Sequence, residues 1–163
     1  MVLRNFTALL FFLMPFCMMS AATSQDIDKV ALTISGNIEA AAPAEFSIRA
    51  LEALPRTTIV TATPWHDGKV TFEGVLLSDL MAQVGGKGTR AEFFALNDYR
   101  AVIPVADFKA SKPILAYKVN GDYISIRKKG PLFVIYPYDQ YPEMKTEIFY
   151  SRSVWQVRSI VIE

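Results

Sequence analysis

The chain has 163 residues, 17 basic and 16 acidic side chains and one cysteine, which suits a single domain with a sizeable hydrophobic core. We predict that residues 1–22 are a secretory signal peptide, so that Arg4 and Cys17 leave with it and residues 23–163 form one domain with no net charge and no cysteine. This composition argues against a disulfide framework, a thiolate nucleophile and non-specific nucleic-acid binding.

The N-terminal segment has the three parts of an export signal. Arg4 supplies a positive charge, residues 7–19 are almost wholly apolar, and residues 20–22 (SAA) are the small residues that a signal peptidase reads. A membrane anchor is the alternative, but the apolar run is short and Pro15 interrupts it. The prediction is a periplasmic domain with no membrane insertion after cleavage.

The elements that follow are mostly strands. We predict strands over residues 30–35, 57–62, 91–96, 99–103, 114–119, 123–127, 132–136 and 154–162. Helices are predicted over residues 44–54, ended by Pro55, and over residues 75–84, ended by Gly85 and Gly86. Asn120-Gly121, between two alternating runs, is the clearest hairpin signal. The sum is a mixed α/β (α+β) fold, rich in strands.

The stretch TATPWHDG, residues 61–68, holds the only histidine and follows a predicted strand. One histidine without cysteine does not supply the ligands of a zinc site, and an exposed loop histidine is the simpler interpretation of His66. The sequence has no Gly-x-Ser-x-Gly motif and no phosphate-binding loop. The residues therefore predict neither a catalytic site nor a metal site.

Planar and hydrogen-bonding side chains do follow several predicted strands. Trp65 can stack on a flat heterocycle, and Asp98 can accept two parallel hydrogen bonds from an amino-imino edge. This pattern favours a flat polar ligand. A plain Asn-Asp turn at residues 97–98, a solvated loop at residues 127–130 and a tryptophan that covers the core are the alternatives.

Several motifs occur in one order along the chain: FEGVLLSDL at residues 72–80, NDYRAVIP at 97–104, KGPL at 129–132 and VWQVRSIVI at 154–162. In these motifs the chain resembles the oxidoreductase molybdopterin-binding domain family, in a short exported form. The resemblance implies the strand-rich sulfite-oxidase type of fold. It also implies that a molybdenum-ligating cysteine should follow the strand at residues 57–62, where this chain has TATPWH and no cysteine.

Cysteine-lacking proteins of this fold include exported regulators that bind a reduced pterin and signal to a membrane partner. The resemblance to them implies a periplasmic pterin-binding protein without redox catalysis and without a covalently bound cofactor. Its partner would be the periplasmic domain of an inner-membrane sensor that makes or degrades cyclic di-GMP. A molybdenum-cofactor-dependent oxidoreductase that lacks the cysteine ligand is the alternative, and a module for an unrelated ligand is a third.

The pterin hypothesis assigns stacking to Trp65 and recognition of the pyrimidine edge to Asp98, with Asn97 and Tyr99 in support. The further ligand-binding candidates are His66, Lys129, Gly130, Arg152 and Ser153. No residue is assigned a catalytic role.

Overall fold

The computed structural model describes residues 26–163, so the predicted signal peptide lies outside the described residues. Its strands are β1 (Val30–Gly36), β2 (Ala44–Ser47), β3 (Arg56–Thr63), β4 (His66–Leu76), β5 (Arg90–Ala95), β6 (Arg100–Pro104), β7 (Ile114–Val119), β8 (Asp122–Tyr123), β9 (Phe133–Ile135) and β10 (Val157–Ile162). The α-helices are α1 (Ile48–Glu52), α2 (Leu77–Gln83), α3 (Val105–Ala110) and α4 (Glu147–Arg152). None of these helices is long and apolar enough to cross a membrane.

The strands form two sheets, which confirms the mixed, strand-rich class predicted from the sequence. The first has the order β2-β1-β10-β5-β6, and in it β1 and β10 run parallel while the other neighbours are antiparallel. The second has the order β3-β4-β7-β8, and β9 pairs with β7 beside β8. Every pairing within the second sheet is antiparallel.

The second sheet is apolar on both faces. Along β7, Leu115 and Tyr117 belong to a large core cluster that also contains side chains of the first sheet. Ile114 and Ala116 belong to a smaller cluster with Phe133. Successive side chains of a strand point to opposite faces, which explains how one strand serves both clusters. The smaller cluster is the surface on which the candidate site is built.

Residues 154–157 connect the two sheets. Trp155 forms an antiparallel bridge with Phe133 of β9. The Val134 amide donates to the Val154 carbonyl at 2.9 Å, and the Val157 amide donates to the Leu132 carbonyl at 3.0 Å. The predicted last strand therefore begins later than expected, at Val157, because residues 154–156 pair with the second sheet before the chain enters the first.

The helix predicted over residues 44–54 is wrong in its first half. Residues 44–47 pair with β1 as strand β2, and the helix begins only after Ser47, whose hydroxyl accepts a hydrogen bond from the Ala50 amide at 3.1 Å. An N-cap serine marks a helix start. The mixed apolar spacing of this stretch reflects two short elements rather than one helix.

Other boundaries also differ from the prediction. Val75 and Leu76 end β4, an eleven-residue strand that the sequence analysis did not assign, so the following helix begins at Leu77. The strand predicted over residues 123–127 stops at Tyr123, and a 3-10 turn covers Ile126–Lys128. The helices α3 and α4 were not predicted, because six residues give too short a periodic signal.

Candidate functional site

The turn between β3 and β4 contains only Pro64 and Trp65, because Thr63 and His66 are paired across the hairpin. The Trp65 amide donates to Thr63 Oγ1 at 3.3 Å, and Thr63 Oγ1 lies 2.9 Å from His66 Nδ1. These contacts hold Trp65 and His66 beside the smaller apolar cluster, where both rings meet Phe133. The stretch singled out in the sequence is therefore an ordered hairpin.

Trp65 lies at the centre of a group of aromatic rings. Its ring centroid is 5.4 Å from that of Phe133, 5.9 Å from Trp155 and 6.0 Å from Tyr150. Tyr99 stacks on Trp155, with ring centroids 6.5 Å apart and an interplanar angle of 15°. Because edge and offset contacts of this kind hold rings in fixed orientations, the group forms a rigid wall.

An open cleft of about 430 Å³ adjoins this wall. It lies within the range of roughly 300–1,000 Å³ that small-molecule sites occupy. Trp65, His66, Asp67, Val70, Val119, Asn120, Arg127, Lys128 and Lys129 line it. The lining combines an apolar floor with three cationic side chains and one carboxylate, which favours a flat, polar and electron-rich ligand.

The cations come from the 3-10 turn and the residue after it. Lys129 has φ of 75°, and its Nζ lies 4.3 Å from the centre of the Trp155 ring. A cation over an indole face is stabilised by the ring quadrupole. Partial burial lowers the pKa of His66, and the charge of Lys129 lowers it further. His66 is therefore a neutral hydrogen-bonding group near pH 7.

The turn between β5 and β6 lies outside this cleft. The Asp98 side chain is 89% exposed, with φ of 63°, and its carboxylate lies 3.5 Å from Arg158. Asn97 accepts a hydrogen bond from the Tyr99 amide at 3.3 Å. The Tyr99 hydroxyl donates to the Ser151 carbonyl at 2.9 Å. Tyr99 thus joins the aromatic wall, while Asn97 and Asp98 stand at an exposed tip.

Three further candidates do not line the cleft and are engaged in contacts elsewhere. The Gly130 amide donates to the Ser125 carbonyl at 2.8 Å. Arg152 pairs with Asp107 at 2.7 Å. Ser153 is 2% exposed, and its hydroxyl lies 2.6 Å from that of Tyr138. Of the nine predicted residues, the structure brings Trp65, His66 and Lys129 into the cleft and Tyr99 beside it.

Sequence reasoning missed several residues of the cleft. Asp67, Asn120, Arg127 and Lys128 line it but were not assigned to a site. The run of three cations at residues 127–129, so close to the Asn120-Gly121 hairpin, was the available signal. Trp155 was assigned only to the closing strand, and nothing local in the sequence shows that it meets Trp65.

Asp139 holds the end of β3 in place. Its carboxylate accepts a hydrogen bond from the Ala62 amide at 3.2 Å and pairs with Lys145 at 2.8 Å and Lys69 at 3.3 Å. The Asp139 amide donates to Thr61 Oγ1 at 3.0 Å. The Lys145 and Ala62 bonds lower the pKa of Asp139 from 3.8 to about 2. The segment after β9 is thereby tied to the strand that carries the turn.

We expect Asp139→Asn to lower the melting temperature at neutral pH and to flatten its acid dependence. As pH falls, the Asp139 carboxylate of the unfolded chain is protonated near its ordinary pKa of 3.8. In the folded chain the same carboxylate stays ionised until about pH 2. The stabilisation is therefore complete above about pH 4 and is lost as pH falls towards 2. Thermal unfolding from pH 7 to pH 2 measures it, with Asp122→Asn, an exposed carboxylate at the start of β8, as the control. Parallel curves for Asp139→Asn and the wild type would contradict the assignment.

Comparison with protein-family models identifies the family of the chain. The model described as the oxidoreductase molybdopterin binding domain matches residues 19–140. The chain belongs to this family. The family assignment agrees with the strand-rich, two-sheet fold and with the resemblance stated from the sequence motifs. No curated protein matches the chain.

Among solved structures, the chain is similar to the sulfane dehydrogenase SoxCD from Paracoccus pantotrophus. The TM-score is 0.61 at 22% sequence identity. The match covers 80% of this chain and 37% of the SoxCD chain. The protein therefore spans little more than a third of the length of this relative. At this level of identity the likeness establishes the fold.

The donor set of this family member does not fit a molybdenum centre held by a thiolate. At the end of β3, where the resemblance calls for a cysteine, the chain has Thr63, Pro64, Trp65 and His66. Within residues 26–163 there is no cysteine, and no three His, Asp or Glu side chains lie close enough to hold a metal ion. A threonine hydroxyl is a much poorer ligand for such a metal than a thiolate. The aromatic wall and the polar side chains that line the cleft suit a ligand with a flat ring system instead.

Proposed function

We propose that this protein binds a reduced pterin in the cleft between the β3–β4 turn and residues 127–129, without redox catalysis. The observation that carries the proposal is the replacement of a thiolate by a tryptophan-histidine turn at the edge of a pocket of ligand size. A pterin is a planar bicycle with a hydrogen-bonding edge. Trp65 offers a ring face, and the neutral His66 and Asn120 offer hydrogen bonds.

We propose further that the protein is periplasmic and reports pterin binding to a membrane partner. The partner is the periplasmic domain of an inner-membrane sensor that makes or degrades cyclic di-GMP. Support comes from the resemblance to exported, cysteine-lacking pterin-binding regulators and from the export signal predicted at residues 1–22. Tyr99 and the exposed tip at residues 97–98 border the aromatic wall, so a partner that contacts this tip lies close to the bound ligand.

We expect the purified exported form to retain a fluorescent pterin, or to bind a reduced pterin in calorimetry. Asp67→Ala, which removes the one carboxylate that lines the cleft, should weaken binding about tenfold or more while the fold stays intact, because a hydrogen bond to a charged group contributes about 1.5–3 kcal/mol. Asp122→Ala, an exposed carboxylate at the other hairpin, is the matched control.

Three results would count against the proposal. Unchanged affinity in Asp67→Ala would remove its carboxylate from the site and leave the other cleft residues to account for recognition. Failure of the wild type to bind any reduced pterin would overturn the function. Stoichiometric molybdenum in protein made in a molybdenum-replete host would replace it with the oxidoreductase alternative.

A further inference from the structure

Thr63 is the last residue of β3 and is nearly buried, with 8% of its surface exposed. Two groups contact its hydroxyl oxygen: the Trp65 amide at 3.3 Å and His66 Nδ1 at 2.9 Å. A backbone N–H can only donate, so it occupies one lone pair of Thr63 Oγ1. The hydroxyl proton is then available for a different partner, and Nδ1 of His66 lies within hydrogen-bond distance.

A neutral imidazole has one protonated and one bare nitrogen, and its neighbours decide which is which. If Nδ1 carried the proton, Thr63 Oγ1 would accept from both neighbours. Its own proton would then find no acceptor in its contacts within residues 26–163. An unsatisfied donor in a nearly buried position is unfavourable. The pairing therefore favours a bare Nδ1 that accepts from Thr63, with the proton on Nε2.

Partial burial, as the larger cause, and nearby positive charge both lower the pKa of His66 and keep the ring neutral. Lys129 is the cation that acts on His66, and Arg127 and Lys128 line the same cleft. Asp67 is the one carboxylate among the residues that line it. The Phe72 ring, on the same strand β4, packs against the imidazole in a T-shaped arrangement, with the two ring centroids 5.4 Å apart. With Nδ1 occupied by Thr63, Nε2 is the nitrogen left for a ligand in the cleft.

We propose that Thr63 is a positioning residue that fixes His66 as a single tautomer, so that His66 Nε2–H donates one hydrogen bond to a ring acceptor of the ligand. The identity of the ligand rests on the proposed function. For a pterin, the acceptor that distinguishes common ring types is the 4-oxo group. A 2,4-diaminopteridine has an amino group at this position instead. Its N–H donor would face the Nε2–H donor of His66, and no hydrogen bond would form. Thr63 and His66 together thus select oxopterins over diaminopteridines.

The tautomer can be observed without any ligand. The chain contains one histidine, so protein purified without a histidine tag and labelled with ¹⁵N gives one imidazole spectrum. At a pH where the ring is neutral, we expect a bare Nδ1 and a protonated Nε2. Thr63→Ser, which keeps the hydroxyl, should give the same pattern. Thr63→Val, which keeps the shape and loses the hydroxyl, should give a mixture of tautomers.

Selectivity is then measured by calorimetry with a reduced 4-oxopterin and with a 2,4-diaminopteridine. We expect the wild type and Thr63→Ser to prefer the oxopterin by about tenfold or more, since one hydrogen bond is exchanged for a clash between donors. In Thr63→Val the preference should fall several-fold, because the second tautomer presents a bare Nε2 that accepts from the amino group.

A proton on Nδ1 in the wild type would overturn the inference, as would an identical tautomer ratio in Thr63→Val. Equal affinity of the wild type for the two ring types would show that His66 Nε2–H does not select the 4-oxo group of the ligand. Binding of neither ring type would overturn the proposed function and the ligand assignment with it. In that case the imidazole spectra would still decide the pairing of Thr63 with His66, so the two failures are distinguishable.

Discussion

Trp65→Ala is expected to weaken the binding of a reduced pterin by roughly tenfold to a hundredfold. Stacking of a heterocyclic base on an aromatic side chain contributes about 1–3 kcal/mol by alanine substitution. Trp65 is both a cleft-lining residue and the ring that meets Phe133, Tyr150 and Trp155. The substitution removes the stacking face and also loosens the wall behind it. Calorimetric titration measures the loss of affinity.

The two causes are separated by a conservative change. Trp65→Phe keeps a ring in the wall and a smaller stacking face, so we expect its affinity to lie between those of the wild type and Trp65→Ala. Melting temperatures measured on the same samples report the packing contribution. A folded Trp65→Ala protein with wild-type affinity would show that the ligand does not stack on this residue.

Fluorescence gives an independent readout, because the chain has two tryptophans. Trp155→Phe leaves Trp65 as the single emitter. Pterin that stacks on Trp65 should then quench nearly all of the emission with the same dissociation constant as calorimetry. Trp65→Phe leaves Trp155, which lies behind Trp65 and under Lys129, and its emission should be quenched less.

Local patterns predicted much of the fold. The alternation of residues 30–35, the β-branched run at residues 57–62 and the Asn120-Gly121 turn each correspond to an observed strand or hairpin. The helix predicted over residues 75–84, before Gly85 and Gly86, corresponds to α2. These signals arise within a few residues of the chain, where turn chemistry and side-chain period determine the structure. Family motifs supplied the arrangement that such local signals do not contain.

Site composition was less predictable, because it depends on contacts between distant segments. Trp65 meets Trp155, ninety positions later, only because residues 154–156 pair with β9 before entering the first sheet. Ser153 had the sequence context of a ligand contact, yet its hydroxyl faces Tyr138 in the core. Arg152 is likewise engaged by Asp107 of α3, a helix that was not predicted. Such pairings have no local signature.

Gly130 shows how a binding motif can also be a packing requirement. Its amide donates to the Ser125 carbonyl at 2.8 Å, and the Gln156 amide donates to the neighbouring Lys129 carbonyl at 2.9 Å. The segment is therefore held from both sides. A Cβ at Gly130 would overlap the carbonyl oxygen of Ile124, which is backbone and belongs to the chain leaving β8. Only glycine fits at this point without displacing Lys129 from the cleft.

Gly130→Ala is accordingly expected to destabilise the protein by about 3 kcal/mol or more, since neither backbone segment can yield without breaking its hydrogen bonds. For a domain of this size that corresponds to a fall of roughly 6–12 °C in melting temperature. The fraction of the Gly130→Ala protein that still folds should bind pterin more weakly, because Lys129, which lines the cleft, is displaced. Gly121→Ala is the control: nothing lies within 4 Å of its new Cβ, and only its left-handed φ of 88° opposes the change, at about 1–2 kcal/mol. Urea unfolding of the two variants measures the difference, and equal stabilities would show that the Ile124–Gly130 contact is not tight in solution.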